Sequence, residues 1–160
     1  MKRPMHIFIA AAFTLLSARA YSQTMISDHW TPAQLLERAQ HLKQLAAQGD
    51  GSASETMEKY PHHYTMLAFR RRDGGGELHQ NFADLFYILD GHVTLLTGGE
   101  VVDAKTTAPG EIRGASVKGG TGQELKAGDV VHIPAGMAHQ MLVPAGSTVT
   151  YFVVKIEESR

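Results

Sequence analysis

The chain has 160 residues, of which 43% are hydrophobic and 19% are charged, and its formal net charge at pH 7 is −1. This size and composition are typical of one globular domain and leave no room for two domains of ordinary size. The near-neutral charge gives no electrostatic footprint for nucleic acid. Because the sequence contains no cysteine, it also excludes a thiolate metal site, a disulfide and a cysteine nucleophile.

Residues 1–20 have the pattern of a secretory signal peptide. A positively charged start is followed by a short apolar core at residues 7–16 and by Ala18-Arg19-Ala20, a cleavage signal of the A-x-A type. The apolar core is too short to span a membrane stably. We therefore expect a secreted or periplasmic protein with no membrane segment after cleavage, which is predicted after Ala20 or, alternatively, after Ser22. A retained N-terminal anchor is the competing interpretation.

A helix followed by a linker is predicted for residues 21–59. Thr31 is a suitable N-cap, Pro32 suits the first helical position, and Gln34 completes a capping box. Apolar residues then recur at helical spacing, and Gly49 suits the end of the helix. We expect the helix to pack across the outside of the following domain, with a dimerisation or lid helix as the alternative, and residues 51–58 to form a linker.

From residue 60 onward the sequence is typical of short strands separated by glycine-rich turns. The predicted strands are 64–70, 85–89, 92–96, 130–133, 139–143 and 148–156. Their number and spacing favour a jelly roll or a small barrel. The intervening segment 101–123 contains one short predicted strand, Glu111-Ile112-Arg113, and is a candidate wall for a binding site.

The segment 128–139, GDVVHIPAGMAH, places one histidine directly after a strand and a tight turn. Its β-branched residues favour the strand, while Pro134 and Gly136 supply the fixed and the permissive φ angles of the turn. His139 then opens the next strand. A histidine in this position can ligate a metal ion.

This spacing, Gly-x5-Pro-x-Gly-x2-His, resembles the second motif of the cupin superfamily, except that Val143 stands where cupins usually have asparagine. The first cupin motif, Gly-x5-His-x-His-x3or4-Glu-x6-Gly, is matched upstream by Glu77-x-His79-x4-Asp84-x6-Gly91. Here Glu77 replaces the first histidine and Asp84 replaces the glutamate. The pattern is similar to that of a subgroup of small exported bacterial cupins with Glu-x-His in place of His-x-His.

The resemblance covers residues 60–157 and implies an all-β fold, a small cupin jelly-roll barrel at residues 60–160 that carries one N-terminal helix. It also implies a homodimer, because cupins commonly pair through their strands or sheets. Some cupins bind no metal and use their histidines in acid and base roles. Fold alone therefore does not select a reaction.

The two motifs together imply one divalent transition metal ion. Residues two apart on a strand face the same side, so Glu77 and His79 can both point into the barrel, with His139 opposite them. Two histidines and one carboxylate leave coordination positions open to substrate, water or dioxygen. Cu or Fe is the expected ion, with Mn, Ni or Zn as alternatives. Asp84 is the fourth metal-site residue, which binds directly, binds through water or orients a ligand histidine.

These features predict a secreted metal-dependent oxidoreductase with Glu77, His79 and His139 as its catalytic residues. It would activate dioxygen or peroxide and act on an extracellular carbohydrate, such as the polysaccharide cellulose, or on a phenolic compound. This expectation follows the resemblance to small secreted cupins linked to copper-dependent attack on polysaccharide. The alternatives are a metal-dependent sugar-acid isomerase or lyase and a non-catalytic sugar-binding module. No nucleic-acid partner is expected.

Overall fold

The computed structural model describes residues 27–158, and the predicted signal peptide and both predicted cleavage positions lie outside these residues. The described chain contains one helix and twelve strands, which are α1 (Pro32–Gln48), β1 (Ser52–Tyr60), β2 (His63–Arg70), β3 (Gly76–His79), β4 (Phe82–Thr97), β5 (Glu100–Val102), β6 (Lys105–Ala108), β7 (Glu111–Gly114), β8 (Ser116–Lys118), β9 (Thr121–Lys126), β10 (Val130–Ile133), β11 (His139–Leu142) and β12 (Val149–Glu157). Within residues 27–158, the one helix lacks the length and apolar character needed to cross a membrane.

Ten of the strands form one curled antiparallel sheet, and β5 and β8 form a separate pair. The order along the sheet is β1-β2-β12-β4-β11-β3-β7-β6, with β9 and β10 added to the long strand β4. Most neighbouring strands in this order, such as β2 and β12 or β11 and β3, are distant in sequence, which is typical of a jelly roll and not of a simple meander. The predicted fold class, an all-β jelly-roll barrel with one helix, is therefore confirmed.

Strand β4 is continuous, although the sequence predicted two strands in this region. Gly91 lies at the bend with a φ angle of 82°, and a Cβ atom there would lie 1.9 Å from the carbonyl oxygen of Thr148. Only glycine can therefore occupy this position. The bend lets the first half of β4 pair with β10 and its second half pair with β9 and β11. One strand thus contributes to both faces of the curled sheet.

Two apolar clusters lie on opposite sides of the sheet. The inner cluster fills the barrel and includes Phe86, Ile88, Leu95 and Met141. The outer cluster joins the apolar face of α1 to the sheet; its buried members are Leu35, Ala39, Leu42, Ala46, Leu67, Phe69 and Leu89. The capping box forms as predicted, and the helix packs across the outside of the barrel.

Residues 51–58 are not a linker, and the prediction for this segment was wrong. They lie mainly in β1, which pairs with β2 from Ser52 to Tyr60. Ala53 and Met57 pack towards the helix, whereas Ser54 lies on the wall of the interior cavity described below. Small and polar residues on this strand conceal the alternation that normally identifies a strand in a sequence.

The segment 101–123 contains more strands than the one predicted. It includes the predicted strand as β7 and adds β6, β8, most of β5 and the start of β9. Strand β7 pairs with β3, so that Arg113 lies opposite Glu77 and Glu111 lies opposite His79. The segment was predicted as a candidate wall of a binding site, and its residue Arg113 lines the interior cavity.

Candidate metal centre

The register of three strands brings the predicted metal-binding residues together. Glu77 and His79 are two residues apart on β3, and His139 on β11 pairs directly with Glu77. One ligand atom from each of the three side chains lies within 4.8 Å of the others. The predicted set of two histidines and one carboxylate is thus assembled at one point inside the barrel.

Asp84 reaches the same point from β4. Its Oδ2 atom lies 3.4 Å from Nε2 of His79 and 3.4 Å from Nε2 of His139. Glu77 Oε2 lies 3.6 Å and 3.8 Å from the same two nitrogen atoms. An ion bound at about 2.0–2.1 Å from nitrogen and oxygen ligands keeps those ligands roughly 3–3.5 Å apart. The four side chains therefore have spacings that suit a single metal ion.

The two histidines are oriented by hydrogen bonds on their other ring nitrogens. His79 Nδ1 lies 2.7 Å from Oε2 of Glu111, and His139 Nδ1 lies 3.1 Å from the carbonyl oxygen of Met137. Both partners accept, so each Nδ1 carries a proton and each Nε2 is directed towards the centre. Such contacts are the usual means of fixing the tautomer of a metal-binding histidine.

The atoms that face the centre contact one another at ion-pair distances of 3.4 Å but make no hydrogen bond of good geometry with the described residues. They are Nε2 of His79, Nε2 of His139 and Oδ2 of Asp84, and all three are buried. Unpaired buried polar atoms are unfavourable, and native proteins contain few of them. Three such atoms converging on one point fit a bound metal ion, which would satisfy all of them.

Positively charged side chains surround the carboxylates of the centre. Arg113 contacts Oε2 of Glu77 through Nη1 and lies 2.9 Å from Oε2 of Glu111 through Nη2. Arg70 Nη2 lies 3.4 Å from the other oxygen of Glu77. Lys155 Nζ, from β12, lies 2.5 Å from Oδ1 of Asp84.

The sequence analysis did not assign site roles to Arg70, Glu111, Arg113 or Lys155. In Glu111-Ile112-Arg113, two charged residues share one face of a predicted strand, and this pattern could have marked them as candidate site residues. Lys155 gives a weaker signal as a lysine within an otherwise apolar strand, and it is only 7% exposed. Nothing in the sequence indicated that either strand would lie beside the motif residues.

The carboxyl groups of the centre are held in their charged forms. Burial by itself raises the pKa of Glu77, but the neighbouring His79 and the charges of Arg113 outweigh burial and place the pKa well below its ordinary range. For Asp84, burial likewise raises the pKa, and His79 and Lys155 more than reverse the effect. Both carboxylates are therefore available as anionic ligands at neutral pH.

The two histidines differ in protonation although they face the same centre. Burial lowers the pKa of His79, but the carboxylates of Asp84 and Glu77 outweigh burial and raise it to about 9. For His139 burial dominates, and its pKa lies below the ordinary value despite the same two carboxylates. In the metal-free protein at pH 7, His79 is thus charged and His139 is neutral.

A cavity of about 430 Å³ opens beside the centre. Glu77 and Asp84 form part of its wall, together with Arg70, Arg113 and Lys155. The remaining wall is largely apolar or carries hydroxyl groups; it includes Tyr64, Met66, Ala68, Phe86, Tyr151 and Val153. A volume of this size is within the range of small-molecule sites.

No protein-family model matches the sequence, and no curated protein matches it either. Solved structures do match the fold. The DMSP lyase DddQ from Ruegeria pomeroyi superposes with a TM-score of 0.50 and 14% identity, covering 68% of this chain and 48% of the lyase. KdgF from Halomonas sp. superposes with a TM-score of 0.50 and 12% identity, covering 69% of this chain and 84% of KdgF. The cupin domain of Cnp3 from Schizosaccharomyces pombe superposes with a TM-score of 0.51 and 12% identity, covering 67% of this chain and 65% of the Cnp3 chain.

These similarities identify a cupin fold, in agreement with the sequence motifs. The chain spans about half of the length of DddQ, and at such low identity the likeness concerns the fold alone. The described residues accordingly form a cupin fold that carries a candidate site for one metal ion, built from Glu77, His79 and His139 with Asp84 beside them.

Proposed function

We propose that this protein is a mononuclear metal-dependent oxidoreductase that activates dioxygen or peroxide with Cu or Fe. Glu77, His79 and His139 would hold the ion, with Asp84 as a fourth ligand. The proposed substrate is a small extracellular carbohydrate, a polysaccharide end or a phenolic compound. When bound, the ion would supply one-electron redox chemistry and polarise oxygen atoms of a substrate.

One observation carries the proposal: buried, unpaired donor atoms of His79, His139 and Asp84 converge beside an open cavity. A structural metal site is normally closed by protein ligands on all sides, whereas a catalytic site keeps a position open. The cavity supports an open position here. Two histidines with a carboxylate are also the donor set of many non-haem iron oxygenases.

The chain's own residues perform positioning and electrostatic tasks in this proposal. Glu111 fixes the ring of His79 through Nδ1, and the carbonyl of Met137 does the same for His139. Lys155 compensates the buried charge of Asp84. These contacts hold the donor atoms in place before a metal ion or substrate arrives.

A metal-dependent isomerase or lyase is the second candidate, and the Tyr151 hydroxyl favours it. Arg70 donates a hydrogen bond of 3.0 Å to this hydroxyl, which lies on the cavity wall. Burial raises the pKa of Tyr151 above its ordinary value, so the group keeps its proton at neutral pH. A protonated hydroxyl beside a Lewis-acidic site suits proton transfer without net oxidation.

The deciding experiment measures bound metal and redox chemistry on the same preparation. The protein is purified without a metal-chelating tag, and its metal content is determined by mass spectrometry before and after loading with Cu, Fe or Zn. Wild type should bind one ion per chain, and Glu77→Ala and His139→Ala should bind little. His41→Ala, which changes an exposed histidine on α1, is the matched control and should bind like wild type.

Activity then separates the two candidates. Oxygen consumption with ascorbate, together with oxidised sugar or phenolic products, supports the oxidoreductase. Turnover of a sugar acid by the Zn-loaded protein without oxygen supports the isomerase or lyase. Wild type that binds no stoichiometric metal, or Glu77→Ala and His139→Ala variants with unchanged metal content, would contradict both. Sugar binding by metal-free protein without turnover would instead indicate a binding module.

We also propose that the protein is exported and acts as a homodimer. The N-terminal sequence pattern supports export, and the resemblance to cupins supports pairing. Fractionation of cells that express the full chain tests the first proposal, and light scattering of the purified protein tests the second.

A further inference from the structure

We propose that Arg70 and Arg113 form a carboxylate-binding subsite beside the metal centre, so that the substrate is a small carboxylic acid about the size of a monosaccharide. This inference rests on the proposed metal-dependent function and specifies its substrate class. It applies equally to the redox and the non-redox candidates.

The two guanidinium groups line the cavity on the side of Glu77. In the described part of the chain, Arg113 donates from Nη1 to Glu77 and from Nη2 to Glu111. Arg70 donates from Nε to the hydroxyl of Tyr151 and from Nη2 to Glu77. A guanidinium has five N–H donors, so these contacts occupy two of five in each residue. The arginines are held in place by the protein and still have donors for a ligand.

With both histidines neutral, as metal binding requires, the charged side chains around the centre balance one another. Three carboxylates face three cationic side chains. Glu77 contacts Arg70 and Arg113, Glu111 contacts Arg113, and Asp84 contacts Lys155. A divalent ion therefore leaves the site with an excess of two positive charges when both histidines are neutral. Such an excess in a partly buried cavity favours an anionic ligand.

Among residues 27–158, Asp50 is the one other acidic residue on the cavity wall. It is exposed and accepts hydrogen bonds from the backbone N–H and the hydroxyl of Ser52, so solvent screens its charge at the mouth. Its charge also interacts with that of Arg70, so it offsets part of the positive excess in the cavity.

Arginine and a carboxylate have matching planar geometry, and their charge-assisted hydrogen bonds are stronger than neutral ones. The cavity wall also carries Met66, Phe86 and Val153, which suit the carbon skeleton of a ligand. The volume of about 430 Å³ accommodates a molecule of monosaccharide size. Charge, hydrogen-bond donors and space thus point to the same class of ligand.

Calorimetric titration of the Zn-loaded protein tests this inference without relying on activity. The probes are D-glucuronate and D-glucose, which have similar size and differ in a carboxylate. We expect glucuronate to bind at least about tenfold more tightly than glucose, as is typical when a charge-assisted hydrogen bond is gained. Raising the salt concentration should weaken glucuronate binding and leave glucose binding unchanged.

Variants then locate the carboxylate. Arg113→Gln and Arg70→Gln should each weaken glucuronate binding about tenfold or more, and Arg113→Lys should recover only part of the loss because lysine lacks the planar fork. Arg38→Gln is the matched control, since Arg38 pairs with Glu55 on the helix side of the sheet and its loss changes net charge equally. Its affinity for glucuronate should equal that of wild type.

The zinc content of every variant distinguishes a failure of the carboxylate subsite from a failure of the metal site. If wild type binds one zinc ion but binds glucuronate no better than glucose, or if Arg38→Gln weakens binding as much as the cavity variants, the carboxylate subsite is refuted and the metal site stands. If wild type binds no zinc, the proposed function fails and the inference fails with it. Should Arg113→Gln fail to fold, Arg70→Gln and the comparison of the two probes on wild type still decide.

Discussion

Metal binding to this protein should release a proton from His79. The pKa of His79 is raised from 6.5 to about 9, because the carboxylates of Asp84 and Glu77 outweigh the effect of burial. At pH 7 nearly every molecule therefore carries this proton, while His139, with its lowered pKa, is neutral. A metal ligand must be deprotonated, so the apparent metal affinity should rise about tenfold from pH 7 to pH 8 and roughly 50-fold from pH 7 to pH 9.

Zinc titrations in two buffers with different ionisation enthalpies count the released protons. We expect about one proton per zinc ion at pH 7 and a declining number as the pH approaches 9. A release well below half a proton at pH 7, or an affinity that is constant from pH 7 to pH 9, would refute the assigned charge of His79. In the metal-free protein, NMR titration of His79 in Glu77→Gln should give a lower pKa than in wild type, because the variant lacks one of the carboxylates that raise it.

The same proton should affect the stability of the metal-free protein. A histidine whose pKa is raised by folding contributes stability that is complete below its unfolded value near 6.5 and is lost as the pH rises through the folded value near 9. A shift of this size corresponds to about 3 kcal/mol. Thermal denaturation should therefore give a midpoint that falls by roughly 5–10 °C between pH 6.5 and pH 9 without metal. With saturating zinc this fall should disappear.

Three further predictions concern single positions. Glu111→Gln should weaken zinc binding about 10- to 100-fold in a competition titration, because it removes the carboxylate that orients His79; an unchanged affinity would contradict that role. Lys155→Met should lower the free energy of unfolding by about 3–5 kcal/mol, since it removes the ammonium group that pairs with Oδ1 of the buried Asp84, and adding Asp84→Asn should recover much of the loss. Finally, mass spectrometry of the exported protein should find Tyr21 at its N-terminus; a start at Met1 would contradict cleavage.

Much of the fold could be predicted because its signals are local. The capping box of Thr31 and Gln34, the glycine-rich turns and the β-branched runs each depend on a few neighbouring residues. Strand β1 was missed because its alternation consists of small and polar side chains, which carry little signal. The joining of two predicted strands at Gly91 was missed because glycine usually indicates a turn, whereas here it permits close approach to Thr148.

The metal-site residues could be predicted because two motifs preserve their spacing. Glu77 and His79 share a face through the two-residue period of a strand, and the turn before His139 is encoded by Pro134 and Gly136. Asp84 was placed in the same set, and its distance of 3.4 Å from both histidines agrees with that placement.

The sequence by itself determined which side chains could bind a metal, because ligand spacing within a motif is a local property of the chain. Only the tertiary structure decided what surrounds them. Arg113, Glu111 and Lys155 reach the centre through the pairing of β7 with β3 and of β12 with β4, which joins residues far apart in sequence. The charge state of His79, the balance of charges and the character of the cavity all depend on those pairings, because electrostatic energy depends on distance in space.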